Sequence, residues 1–300
     1  MRFWLLVIAL ATALGCSVRR FAVNKLGDAL ASSGTTFASD EDPELVGEAL
    51  PFALKLIESL LAESPRHRGL LLAAASGFTQ YAYAFVQQPA DELEDQDLAQ
   101  ATRLHARARK LYLRARNYGL RGLEARRPGF EKGLRADAKA AVRGAARADV
   151  PLLYWTAAAW GAAISLSKDD PETVADQPLV EALIDRALEL DEAFDSGAIH
   201  AFLVSYEPSR PGVSTAEAAG RARKHFERAV DLGGGKLASP LVAFAETVSV
   251  SQQNKKEFET LLKRALEIDV NARAEWRLAN LVSQRRARWL LGRTEQLFVE

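Results

Sequence analysis

The chain has 300 residues, 48% of them hydrophobic and 26% charged, enough for one extended domain or two compact ones. Its 39 basic and 39 acidic side chains balance, which removes any global pull toward nucleic acid or an anionic surface. A single cysteine, Cys16, excludes internal disulfides, and no second one exists to build a cysteine-based metal site.

The first predicted element is a processing segment. Arg2 supplies a positive charge, Phe3 to Ala13 is apolar apart from Thr12, and Ala13-Leu14-Gly15-Cys16 follows. This is the order of a secretory signal peptide, expected over residues 1–15. The apolar run is shorter than the roughly 20 residues a bilayer span needs. A lone cysteine after a small residue resembles the lipobox of bacterial lipoproteins, although Ala13 stands where that motif prefers Leu. The resemblance implies acylation at Cys16 and a membrane tether of lipid rather than helix. Ser17, where an inner-membrane retention signal would carry Asp, implies an outer-membrane lipoprotein. Residues 16–42 read as tether and entry segment, with a short helix from Phe21 to Leu30 and a loop from Ser32 to Thr36.

From residue 43 to 300 the pattern is helical throughout. Alanine, leucine, arginine and glutamate dominate, all good helix formers, and hairpin signals are missing. Leu45, Ala49, Phe52, Leu56 and Leu60 make one apolar stripe, and Leu262, Ala265 and Ile268 another. Ser64-Pro65 is expected to end the first helix, Gln88-Pro89 the second and Arg127-Pro128-Gly129 the third. Asp169-Asp170-Pro171, Pro208 to Gly212, Gly233 to Gly235 and Ser239-Pro240 punctuate the rest. Stretches 40–48 and 91–97 are acidic, and Arg103 to Arg147 is basic. Without interleaved aromatics the basic stretch reads as a solvated helix face, and no nucleic-acid binding is expected.

Three helix ends look alike: Arg186 to Asp191, Arg228 to Leu232, and Arg264 to Asp269. Each resembles the end of the second helix of a tetratricopeptide repeat, where a small alanine lets helices approach closely. Their spacing is longer than the roughly 34-residue period of that repeat. An irregular bundle is the competing arrangement. The common helix phase of the echoes favours an all-α, tetratricopeptide-like helical-repeat solenoid of antiparallel helix pairs.

No catalytic constellation is legible. His67, His105, His200 and His225 lack metal-ligand spacing. Gly233 to Lys236 reads GGGK without the following Ser/Thr or a preceding strand, so it fails as a phosphate loop. Asp169 and Asp170 sit where helix capping explains them. The expectation is no enzyme, no metal and no cofactor. The aromatic segments are the candidate site. Phe78, Tyr81 and Phe85 share one side of a helix while Tyr83 points elsewhere, and Trp155 and Trp160 lie on different stripes of another. Helices apolar all round are central, and tyrosine hydroxyls and indole N–H groups suit a partly wet groove. These six residues are the candidates for a ligand channel or partner surface.

Five passages carry a family likeness: ALPFALKLIESLLAESP at 49–65, GFTQYAYAFVQ at 77–87, YWTAAAWGAAISLSKDDPE at 154–172, ASPLVAFAETVSV at 238–250 and RLANLVSQRRARWLL at 277–291. The chain resembles the T component of tripartite ATP-independent periplasmic (TRAP) transporters. That likeness implies a periplasmic lipoprotein scaffold that docks the solute-binding P component of an uptake system. It also implies a central channel for a small anionic or apolar ligand, and self-association with a trimer as the expected form. The alternatives are a helical-repeat lipoprotein assisting outer-membrane or envelope assembly, and an enzyme acting on cell-wall glycans.

Overall fold

Five of the long helices start at a side chain that accepts from their free N–H groups, His67 doing so for the Leu70 amide. Asp42 accepts from the Glu44 and Leu45 amides, Asp97 from Gln100, Ser214 from Glu217 and Asn254 from Glu257. The computed structural model describes Lys25 and residues 34–298. The signal segment, Cys16 and all of the helix expected over 21–30 but Lys25 lie outside the described residues. Within these bounds the chain is all helix and connection, with no strand among the described residues.

The helices, in order, are α1 (Gly34–Ala38), α2 (Pro43–Glu63), α3 (Arg68–Leu93), α4 (Leu98–Arg126), α5 (Phe130–Ala136), α6 (Ala138–Arg143), α7 (Val150–Ser165) and α8 (Pro171–Val174). There follow α9 (Gln177–Leu190), α10 (Ala198–Tyr206), α11 (Thr215–Leu232), α12 (Ser239–Phe244, continued by a π turn over Ala245–Ser249), α13 (Lys255–Leu266), α14 (Arg277–Gly292) and α15 (Thr294–Leu297). The loop expected from Ser32 to Thr36 is overturned at its described end, where Gly34 opens α1. Packing runs pairwise: α3 with α4, α7 with α9, α10 with α11, α12 with α13. The three similar motifs therefore close α9, α11 and α13, the second helices of their pairs, as a helical repeat requires.

The first helices of the pairs also touch in succession: α3 with α7, α7 with α10, α10 with α12, and α12 with α14. Together they make one continuous row. In α7, Leu152, Leu153, Ala157 and Trp160 are all buried, because that helix has neighbours on two sides. Glycines set the closest approach. A Cβ on Gly119 would lie 2.1 Å from Thr156 Oγ1, and one on Gly122 2.6 Å from Leu152, so α4 meets α7 through these gaps. Three apolar clusters follow one another along the chain, centred on α2–α4, α5–α10 and α10–α15.

Two expectations change. Of the stripe Leu45, Ala49, Phe52, Leu56 and Leu60, the first four face out, with Phe52 76% exposed, and Leu60 alone is buried. The buried face of α2 is a second apolar stripe at the same helical spacing, Val46, Leu54, Ile57 and Leu61, which packs against α3. The second helix also runs on past Gln88-Pro89 to Leu93. Pro89 has no N–H to offer the preceding turn, and a π turn over Tyr83–Gln87 absorbs the defect, with the Gln88 amide reaching the Tyr83 carbonyl.

Candidate ligand cleft and docking face

The last long helix returns to the first ones. Helix α14 packs on α1 and α2, and its arginines reach the end of α3. Arg286 is the centre of this seam. Its guanidinium donates to Asp91 Oδ2 at 2.8 Å, makes a shorter contact with Glu246 on α12, and lies 4.2 Å over the Trp289 ring. Its side chain is 8% exposed. Burial disfavours its charge, but Glu246 and Asp91 outweigh that and hold its pKa above the ordinary guanidinium value. Outside it, Arg285 clamps Glu92 through two bonds and Arg293 pairs with Asp95 at 3.0 Å. Asp91 is also 2.7 Å from His105 Nε2. The acidic stretch 91–97 thus meets the arginines of the final helix.

Both helices facing Arg286 carry a π turn there, one beginning at Tyr83 and the other containing Glu246. Tyr83 is 41% exposed, yet burial of its hydroxyl, followed by the Glu246 charge, pushes its pKa up. The exposed part is therefore ring, while the polar end turns inward. Next to it Gln88 is fully buried, and neither its Nε2 nor its Oε1 has a hydrogen-bond partner. The Tyr83 hydroxyl approaches without a bond of ordinary geometry. A buried polar group left this way costs about 1–3 kcal/mol.

Beside Gln88 a cleft of about 760 Å³ opens between α14, α3 and the entry to α2. Phe85, Leu281 and Val282 give it an apolar lining, and Phe85 also sits over Gly47, where a Cβ would come within 2.8 Å of the ring. Such a volume lies within the range of small-molecule sites.

The six aromatic candidates separate. Phe85 lines this cleft and Tyr83 lies at the seam. Tyr81 is buried, and its hydroxyl accepts from Arg107 at 3.2 Å. Phe78 is buried and stacks on Tyr118 with ring centres 5.9 Å apart. Burial and then the bond to Glu58 push the Tyr118 pKa up to about 12. Trp160 is wholly buried, with Arg116 and Arg135 over its ring and its indole N–H without a partner. Trp155 is half-buried, edge-on to Tyr154 at 4.9 Å. Arg286, Gln88 and Glu246 escaped the reading from sequence. Their one signal was the coincidence of an acidic stretch at 91–97 with an arginine-rich final helix.

Two further features lie away from the seam. On the outside, Leu45, Phe52 and Leu56 of α2 form an exposed apolar strip. Along α4, Arg103, Arg107, Lys110, Arg114 and Arg121 are exposed at successive turns; Glu58, 3.6 Å from Arg114, is the one carboxylate paired with any of them among the described residues. Between α10 and α11, His200 and His225 meet Nδ1 to Nδ1 at 2.9 Å, so one ring must donate and the other accept. Burial, then the neighbouring His200, lowers the His225 pKa to about 4, and burial also lowers that of His200. No group of three or more metal-binding side chains occurs among the described residues.

Against known families, the model described as TRAP transporter T-component matches residues 39–298. A protein of Treponema pallidum (strain Nichols) described as uncharacterized is similar along nearly the whole length. It is 30% identical over 307 residues, covering 95% of this chain and 94% of that one.

Proposed function

The chain belongs to the TRAP transporter T-component family, a non-catalytic periplasmic accessory of that transporter, and from this premise we propose that it is the scaffold on which the solute-binding P component docks. The observation that carries the reading is the exposed strip of Leu45, Phe52 and Leu56. A helix that already buries one apolar face has no folding use for a second, and a large apolar side chain left in water next to others marks an interaction surface. The basic row on α4 suits a partner with an acidic rim. In this reading acylated Cys16 holds the scaffold at the outer membrane. The seam cleft, with Phe85 in its wall and Tyr83 beside it, is the route by which a small ligand passes between components. Copies associate, a trimer being the family's expected form.

Mild cross-linking of the full-length lipidated protein in its native envelope, read by mass spectrometry, tests this. Near-stoichiometric recovery of a periplasmic solute-binding protein supports the scaffold. Recovery of barrel-assembly factors or wall enzymes without a binding protein overturns it. Tyr83→Ala should weaken ligand binding more than it lowers folding stability; equal losses return it to the core.

A further inference from the structure

The two rims of the seam cleft carry opposite charges that do not pair with each other. One rim is the exposed segment leading into α2, with Glu41 and Glu44, neither of which makes an ion pair among the described residues. Asp42 between them is consumed in capping α2. The other rim is one face of α14, where residues 277, 281, 285 and 288 fall on successive turns. Arg277 donates to the Ser39 carbonyl at 2.8 Å and Arg285 is bound to Glu92, but Arg288 is exposed and makes no ion pair among the described residues. Between the rims lie an apolar lining and the buried carboxamide of Gln88, with a donor and an acceptor both unmet.

From this juxtaposition we infer that the seam cleft binds a small zwitterion with an apolar body, an α-amino acid or a short peptide with both termini free. The ammonium sits against Glu41 and Glu44, the carboxylate against Arg288 and Arg277, and the apolar part on Phe85, Leu281 and Val282. Gln88 can donate to a carboxylate or peptide carbonyl and accept from an N–H, but its carboxamide has no open surface, so the cleft floor has to shift before it meets either end of such a ligand. A simple anion would satisfy one rim and leave the acidic one facing it; a purely apolar ligand would leave both rims and Gln88 as they are. The size of the cleft admits several residues, so a peptide and a single amino acid are the two sources of the same chemistry. The inference rests on the reading of the seam as a ligand passage and is independent of the docking face.

Isothermal titration of the full-length protein in detergent tests it. The probes are leucine, trileucine, N-acetyl-trileucine, trileucine amide and 4-methylpentanoate. Leucine or trileucine should bind, the stronger of the two identifying the source, and blocking either terminus should weaken binding at least tenfold. Arg288→Gln should cost the free ligand the same tenfold but leave the C-terminal amide unaffected. Glu44→Gln should do likewise with the N-acetyl form. Both residues are exposed, and unchanged thermal unfolding of each variant confirms that the fold is not the cause. Equal affinity for free and blocked ligands, or indifference of the free ligand to both substitutions, overturns the inference. Binding of 4-methylpentanoate as tight as leucine overturns it while leaving a ligand passage standing. Failure of every probe at millimolar concentration removes the zwitterion reading, and tight binding of an apolar compound in the same assay would then separate that failure from failure of the passage.

Discussion

Arg286→Met should open the seam. The guanidinium is nearly buried and carries the contacts that join α14 to both α3 and α12. Removing one partner of a buried ion pair costs about 3–5 kcal/mol, because the charge left behind is neither solvated nor paired. Two features place this site at the low end. Glu246 keeps partial access to water, its side chain being 31% exposed, and Asp91 retains His105 at 2.7 Å. The expected loss is about 3 kcal/mol. Arg285→Gln, which breaks an ion pair whose arginine is exposed, should cost under about 1 kcal/mol. Adding Glu246→Leu to Arg286→Met should recover more than half of the loss, since an apolar pair in place of a buried ionic one is often neutral or better. Urea unfolding gives the three free energies. Hydrogen exchange gives the location: protection should fall in 83–93 and 277–292 and persist in α9 and α10. If Arg286→Met costs no more than Arg285→Gln, or if exchange rises evenly across the chain, the seam is not held by this arginine and the reasoning fails.

Acid should destabilise the protein through the histidine pair. The folded pKa of His225 lies at about 4 and that of His200 is also depressed. The stability of the neutral pair is therefore full above the unfolded value of about 6.5, and is lost as pH falls through the interval down to about 4. The expected change is about 3 kcal/mol, read as the pH slope of urea midpoints, and His225→Phe should flatten that slope. Phe52→Glu should leave stability within about 0.5 kcal/mol, as an exposed substitution does. It should reduce recovery of the solute-binding protein in the cross-linking experiment at least tenfold; undiminished recovery would move docking off α2. Trp160→Ala removes a wholly buried indole and should cost about 3–5 kcal/mol in the same unfolding assay. Gly119→Ala drives a methyl into Thr156 and should cost about 1–3 kcal/mol; no measurable loss would show that α4 and α7 can part freely.

What was legible in the sequence was local. Ser64-Pro65 and Arg127-Pro128-Gly129 end helices because proline and glycine act on the backbone within a turn of themselves. The motifs Arg186 to Asp191, Arg228 to Leu232 and Arg264 to Asp269 marked second helices because small alanines at a shared phase reflect helix contact. Where two local solutions existed, pattern could not choose. Helix α2 carries two apolar stripes at equal spacing, and only the position of α3 decides that Val46, Leu54, Ile57 and Leu61 go inside. Pro89 read as a stop because the π turn that spares it is a departure from regular geometry, not a residue type. Trp160 and Phe85 look alike as aromatics on apolar helices, yet one is wholly buried beneath Arg116 and Arg135 and the other lines a cleft. The seam was beyond reach altogether, since Asp91 and Arg286 stand 195 residues apart.

That separation bears on how the fold works. In an open repeat each unit touches only its neighbours, and stability adds up along the chain. Here the final helix also grips the first pair, so the intervening repeats are held at both ends. The joints between successive pairs are apolar clusters, whereas the closing joint is built of arginines, carboxylates, a tyrosine hydroxyl and an unsatisfied amide. An apolar joint resists separation because opening it wets the core, whereas charged groups regain water when they part. The seam is therefore the joint that opens at least cost, and it is also where the ligand cleft lies. The two properties are linked: a ligand bridging Glu44 and Arg288 ties α2 to α14 across the opening. A saturating zwitterion should thus slow exchange in 277–292 and partly restore protection to Arg286→Met. Slower exchange in the wild type with no restoration in the variant would mean that the cleft and the Arg286 cluster act separately, and that closure and ligand binding only share a neighbourhood.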